Sequence, residues 1–125
     1  MTLRSWAERL TQTPFAADVV DLHVKDTLVA LLAGLKTKEG QALSRLYSRA
    51  GPAEMAAGSA SIARLSECDD IHLASCVTPG SVVIPTALAF GAGHSDDEFH
   101  RAIAAGYTAG LQMGIAIGGA KALAG

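Results

Sequence analysis

Glu67, Cys68, Asp69, Asp70 and His72 lie within six residues of one another, with Cys76, Thr78, Pro79-Gly80 and Pro85 shortly beyond. Carboxylates and an imidazole at this density suit proton transfer, because an imidazole titrates near neutral pH and a carboxylate can accept or return a proton. The rest of the chain is mostly apolar helix signal, so residues 67–78, which read as an irregular loop, are where chemistry is expected.

Metal-ligating and nucleophilic types also occur here. Cys68 and Cys76 with His72 between them match none of the usual zinc spacings, so no metal is expected. Two buried or half-buried thiols are the plain alternative. A nucleophilic pair of Cys76 with His72 or His94 lacks an orienting third group and an oxyanion hole. His94 and His100 flank a helix start and are expected on a solvated surface, while His23 lies on a long helix between core positions. Gly91 and Gly93 do not sit between a strand and a helix, so they form no phosphate loop.

The elements that must position the loop are helical. The chain has 125 residues, half of them apolar, 5% aromatic and 18% charged. Much of the apolar share is Ala and Gly, which favours close helix packing, and the class reads all-α, a bundle of about six helices in one domain spanning 1–125. A first helix is expected over 2–10. Thr13-Pro14 reads as an N-cap with proline at the first helical position, opening a long helix on which Phe15, Val19, Leu22, Leu28, Leu31, Leu32 and Leu35 keep helical spacing. Helices over 38–50, 53–65 and 80–92 follow, with Gly51-Pro52 as a stop and Pro85 as a kink or effective start. Ser95 with Glu98 is a capping box for a last helix over 96–122.

On that helix Ala102, Gly106, Gly110, Gly114, Gly118 and Ala122 recur every four residues. The seam admits another helix closely, either from the same chain or from a second copy, and a homo-oligomer through helices is expected. A formal net charge of −2 leaves no basic footprint for nucleic acid. Residues 102–120 carry no charge, but their glycines with Thr108 and Gln112 dilute the hydrophobicity, so a buried helix is expected there and no membrane span. The opening residues, MTLRSWAERL, hold no secretory apolar run, and two cysteines make no disulfide framework, so a cytoplasmic setting is expected.

Three segments together resemble the MmgE/PrpD family. Val24 to Gly34 is similar to its DTLG-x-x-LAG helix. Glu67 to His72 with Thr78-Pro79-Gly80 and Val83-Ile84-Pro85 resembles its D-F-D-D-T-H, H-P-G and V-x-P run, and Ala104 to Tyr107 resembles its A-x-x-x-GYE helix. The family includes 2-methylcitrate dehydratase, cis-aconitate decarboxylase and iminodisuccinate epimerase, which move protons beside carboxylates without metal or organic cofactor. The resemblance implies the N-terminal part of a helical domain, with the lid and later acid–base residues outside this sequence, and no cofactor.

Within the matched run, Glu67, Asp69 and His72 become the catalytic candidates, and Glu67, Asp69, Asp70, His72 and Thr78 the substrate-binding ones. Three positions depart from the family. Glu67 stands for an aspartate, Ile71 for a threonine and Thr78 for a histidine, so a hydroxyl and a proton shuttle are lost. Asp69 and Asp70 then either touch substrate or cap the loop's own backbone. The expected function is a diverged, homo-oligomeric helical module without the family's acid–base catalysis that retains small-carboxylate binding. The alternatives are the N-terminal subunit of a split lyase or isomerase completed by a second chain, and a small enzyme with its pocket between subunits.

Overall fold

Capping chemistry sets most of the helix boundaries. The computed structural model describes residues 2–123, with side chains through Lys121, and they are all helical apart from loops and turns. Thr2 and Ser5 form a reciprocal capping box at the head of α1 (Leu3–Leu10). The long α2 (Ala17–Leu35) follows, and then α3 (Lys38–Tyr47), whose N-cap Thr37 accepts the Gly40 N–H. Proline occupies the first position of α4 (Pro52–Arg64). After the loop come α5 (Gly80–Phe90), α6 (Asp96–Ala116), opened by the Ser95–Glu98 capping box, and the short α7 (Gly119–Leu123). No strand occurs among the described residues, only an isolated bridge between His72 and Val77.

Several helix ends differ from the sequence reading by one to three residues, as at Tyr47 where 50 was expected, and three differences have a tertiary cause or consequence. The long helix begins at Ala17 and not at Pro14, because Ala16 is extended (φ −108°, ψ 123°). Phe15 is drawn instead onto the Val20–Ile84–Ile103 core and under Arg101, whose guanidinium lies 5.5 Å from its ring centre. The last helix ends at Ala116, since Gly118 (φ 103°) and Gly119 (φ 49°) are left-handed and break it. The α7 backbone is then tied back to the loop through Ala120 N–H to Ala74 O. Pro85 marks no start; it sits inside α5.

The buried face of α2 is not its leucine face. Val20, Thr27, Ala30 and Gly34 are its buried residues, one stripe of mostly small side chains at helical spacing. The stripe lets α4 approach closely through Ala56, Gly58, Ile62 and Ala63. At Gly34 the approach is so tight that a Cβ would overlap the Ile62 carbonyl. Leu22, Val29 and Leu32 are left 60–65% exposed. α4 also packs on α3 and α5, while α6 crosses α1, α2 and α5.

The glycine seam is partly filled from within. Gly106 backs onto Val83 of α5, Gly114 onto Ser75 and Val77 of the loop, and Gly118 lies past the end of α6. Gly110 has room above it, with Val77 3.7 Å from where a Cβ would stand, and the Ala122 side chain of the expected seam lies outside the described residues. An apolar groove remains there, rimmed by the exposed Val82, Met113 and Ile117. No helix among the described residues is long and apolar enough to cross a membrane.

Candidate functional site

The loop after α4 turns back on itself at once. Leu65, Ser66 and Glu67 continue tight backbone bonds to Ile62, Ala63 and Arg64, and then Glu67 adopts a left-handed conformation (φ 54°) that reverses the chain. A non-glycine residue there costs about 1 kcal/mol, which the following contacts must offset. The reversal brings Asp69 onto Arg64. Arg64 Nη1 donates to both carboxylate oxygens at 2.7 and 2.6 Å, with the Asp69 side chain only 1% exposed. Burying that carboxylate is tolerable because the guanidinium pairs it. The same hydrogen bond raises the Arg64 pKa, so the cation stays charged.

Asp70 points elsewhere, into the bundle. Its Oδ1 accepts the Gly80 N–H at 2.9 Å, an orphan donor of the α5 N-terminus, which Pro79 cannot cap. Its Oδ2 accepts the Tyr107 hydroxyl at 2.8 Å and lies 3.6 Å from His23 Nδ1. The His23 and Tyr107 rings pack 4.9 Å apart. Thr27 Oγ1, one turn along α2 from His23, is buried beside the Tyr107 hydroxyl, without a hydrogen bond of good geometry among the described residues. Three oxygens converge on Gly80: a Cβ there would lie 2.6 Å from Thr27 Oγ1, 2.7 Å from Tyr107 Oη and 2.8 Å from Asp70 Oδ1. Glycine after Pro79 is therefore a packing requirement.

His72 is occupied by its own turn. Its Nδ1 accepts the Ser75 N–H at 3.3 Å and lies 2.9 Å from Ser75 Oγ, while its backbone N–H donates to Val77 O at 2.9 Å. A second left-handed residue, Cys76 (φ 53°), closes that turn. Thr78 Oγ1 stands 3.5 Å from Ser81 Oγ, and Ser81 in turn donates to Thr78 O at 3.0 Å. Glu67 is exposed. Asp69, Asp70, His72 and Thr78 thus have four separate sets of partners within the chain.

Two side-chain expectations change. Cys68 and Cys76 are free and exposed, not buried, because the chain reversals at Glu67 and Cys76 turn this stretch outward. His100 is not solvated: its side chain is 16% exposed, bonded to Asp21 Oδ1 at 2.9 Å and packed between Phe15 and Phe99. The loop motif alone also does not signal His23 as a partner of Asp70, or Thr27 as a neighbour of Gly80 beside them. The available signal was two polar residues, four apart, on the same side of α2 as Val20 and Ala30. Among the described residues, no group of three His, Cys, Asp or Glu side chains is arranged to hold a metal ion.

Tyr107 provides a pH test of the cluster. Burial, and then its hydrogen bond to Asp70, hold the hydroxyl above the ordinary value of 10.0. The folded chain keeps the proton that the unfolded chain loses, so this stabilisation is complete below about pH 10 and is lost as pH rises further. The midpoint of thermal unfolding should fall on the alkaline side of about pH 10. Tyr107→Phe should make that fall shallower; an equally steep fall in the variant would exclude Tyr107 as its source.

Comparison of the chain with protein-family models, with curated proteins and with solved structures returned no match in any of the three.

Proposed function

We propose that this chain is a diverged MmgE/PrpD-like helical module of the cytoplasm that works by assembling with further copies of itself, without the family's acid–base catalysis. One observation carries the reading. Asp69, Asp70, His72 and Thr78 of the 67–78 loop are spent on internal bonds, with Glu67 alone of the candidates exposed, while large apolar side chains face outward. Seventeen large hydrophobic residues are exposed among the described residues, whereas five large ones and three alanines are buried in the core. Each large apolar side chain fully withdrawn from water contributes about 1.5–3 kcal/mol, so covering even part of this surface drives association.

The loop offers little to a substrate. Ile71 stands where the family has a hydroxyl and Thr78 where it has an imidazole. Arg64, the cation nearest the carboxylates, is engaged by Asp69. Retained binding of a small carboxylate would have to displace that pair. The second reading, an N-terminal subunit of a split lyase or isomerase, draws on the same exposed surface, which is spread over α2, α5 and α6 and so offers more than one face to cover.

Light scattering of the purified chain at tens of micromolar tests the proposal. A dimer or larger assembly is expected, burying on the order of 1,000 Å² or more. A monodisperse monomer overturns self-assembly, and stoichiometric capture of a second chain encoded beside it favours the split enzyme. Turnover of citrate, aconitate or methylcitrate by the chain alone would defeat the non-catalytic reading.

A further inference from the structure

The start of α2 and the middle of α6 do not close on one another. Between them lies a cleft of about 300 Å³, walled by Phe15, Val19, Val20 and Ile103 and ended by His23 and Tyr107. Thr13 and Thr108 add hydroxyls to the lining, and mostly apolar walls with a few polar groups are the usual make-up of a small-molecule site. The volume is about twice that of a cavity known to hold benzene, which sets the scale at a two-ring molecule.

The polar end is organised before any ligand arrives. The Tyr107 hydroxyl is committed to Asp70, and the His23 imidazole is held against the Tyr107 ring with Nδ1 facing the Asp70 carboxylate. An acceptor beside Nδ1 favours the tautomer protonated there. Nε2 is then left as a lone pair, with no hydrogen bond to the protein among the described residues.

We infer that this cleft binds a small, uncharged, hydroxyl-bearing aromatic molecule, with the hydroxyl donating to His23 Nε2 and the rings lying between Phe15, Val19 and Ile103. Charge decides the class. Among the described residues, no Lys, Arg, Asp or Glu side chain lines the cleft. An anion would be buried without a cation and would face Asp70 behind the imidazole. An ammonium would find Asp70 already taken by Gly80 N–H, Tyr107 O–H and His23. Either ion would lose hydration without a charged partner, whereas a neutral donor loses little and meets His23 Nε2. The inference is independent of self-assembly.

Titrating the intact chain with 2-naphthol, followed by amide NMR shifts, tests it. Saturable shifts centred on Val19, Val20, His23 and Ile103 are expected, with a dissociation constant on the order of 1 mM or below. 2-Methylnaphthalene, which lacks the donor, and 2-naphthoate, which is anionic, should each bind about tenfold more weakly. His23→Phe keeps a ring but removes the acceptor, and should erase the preference for naphthol. Val19→Trp should fill the cleft and abolish binding while leaving the polar cluster intact.

The comparison of the three probes needs no variant, so a misfolded mutant leaves the test standing. Absence of saturable shifts overturns the site. Equal affinity for naphthol and methylnaphthalene, or naphthoate binding as tightly as naphthol, overturns the assigned chemistry. Shifts at these residues that follow protein concentration instead of probe would assign the cleft to a second copy, and so also defeat the inference.

Discussion

Gly34→Ala should lower the stability of this chain by about 3 kcal/mol, although alanine is the better helix former. The new methyl group would overlap the Ile62 carbonyl of α4. A backbone atom inside a helix cannot step aside, so α2 and α4 must separate along the stripe that buries Ala30, Ala56 and Ala63. Helix propensity returns up to about 1 kcal/mol, well short of the loss. For a domain of this size the midpoint of thermal unfolding should drop by roughly 10 °C. Gly110→Ala supplies the contrast. Its Cβ would meet only Val77, at an ordinary 3.7 Å, so propensity should dominate and stability rise by about 0.5–1 kcal/mol. A Gly34→Ala chain as stable as the parent would mean that the two helices do not cross this closely.

Asp70→Ala should cost about as much, through a different cause. The carboxylate satisfies the Gly80 N–H and the Tyr107 O–H together and faces His23. Removing it strands two buried or half-buried donors, each worth about 1–3 kcal/mol when left unpaired. Asp70→Asn keeps one acceptor oxygen and should cost less, about 1–2 kcal/mol. Tyr107→Phe removes one of the stranded donors, so in the Asp70→Ala background it should cost less than it does alone. A coupling of about 1 kcal/mol or more in a double-mutant cycle by urea unfolding is the expected signature. Strict additivity would show that the hydroxyl and the carboxylate do not act as a unit.

Much of the local architecture was legible residue by residue. Ser95 with Glu98 marked a helix start where the structure has it, because a cap is a contact among residues three or four apart, whereas Gly51-Pro52, read as a stop, opens α4 with proline at its first position. The all-α class followed from abundant Ala and Gly with few aromatics. Where a local signal had a tertiary rival, it lost. Thr13-Pro14 is a sound helix start in isolation, yet docking Phe15 on the core delays the helix to Ala17. The glycine repeat of the last helix looked continuous, but Gly118 and Gly119 turned the chain so that α7 could bond to Ala74.

The sequence by itself determined that α2 is a helix with apolar and polar positions at period 3.6; it did not determine which face is covered. Both the leucine stripe and the stripe of Val20, Thr27, Ala30 and Gly34 satisfy that period. The choice was made by α4, whose backbone comes near enough to favour small side chains and leaves Leu22, Val29 and Leu32 outside. The candidate residues divided in the same way. Composition and spacing marked Glu67, Asp69, Asp70 and His72 as the polar loop, but the partners of Asp70 come from α2, α5 and α6, with Tyr107 lying 37 residues further along the chain. A hydrogen bond depends on distance and angle in space, and across such separations those are set only when the helices pack.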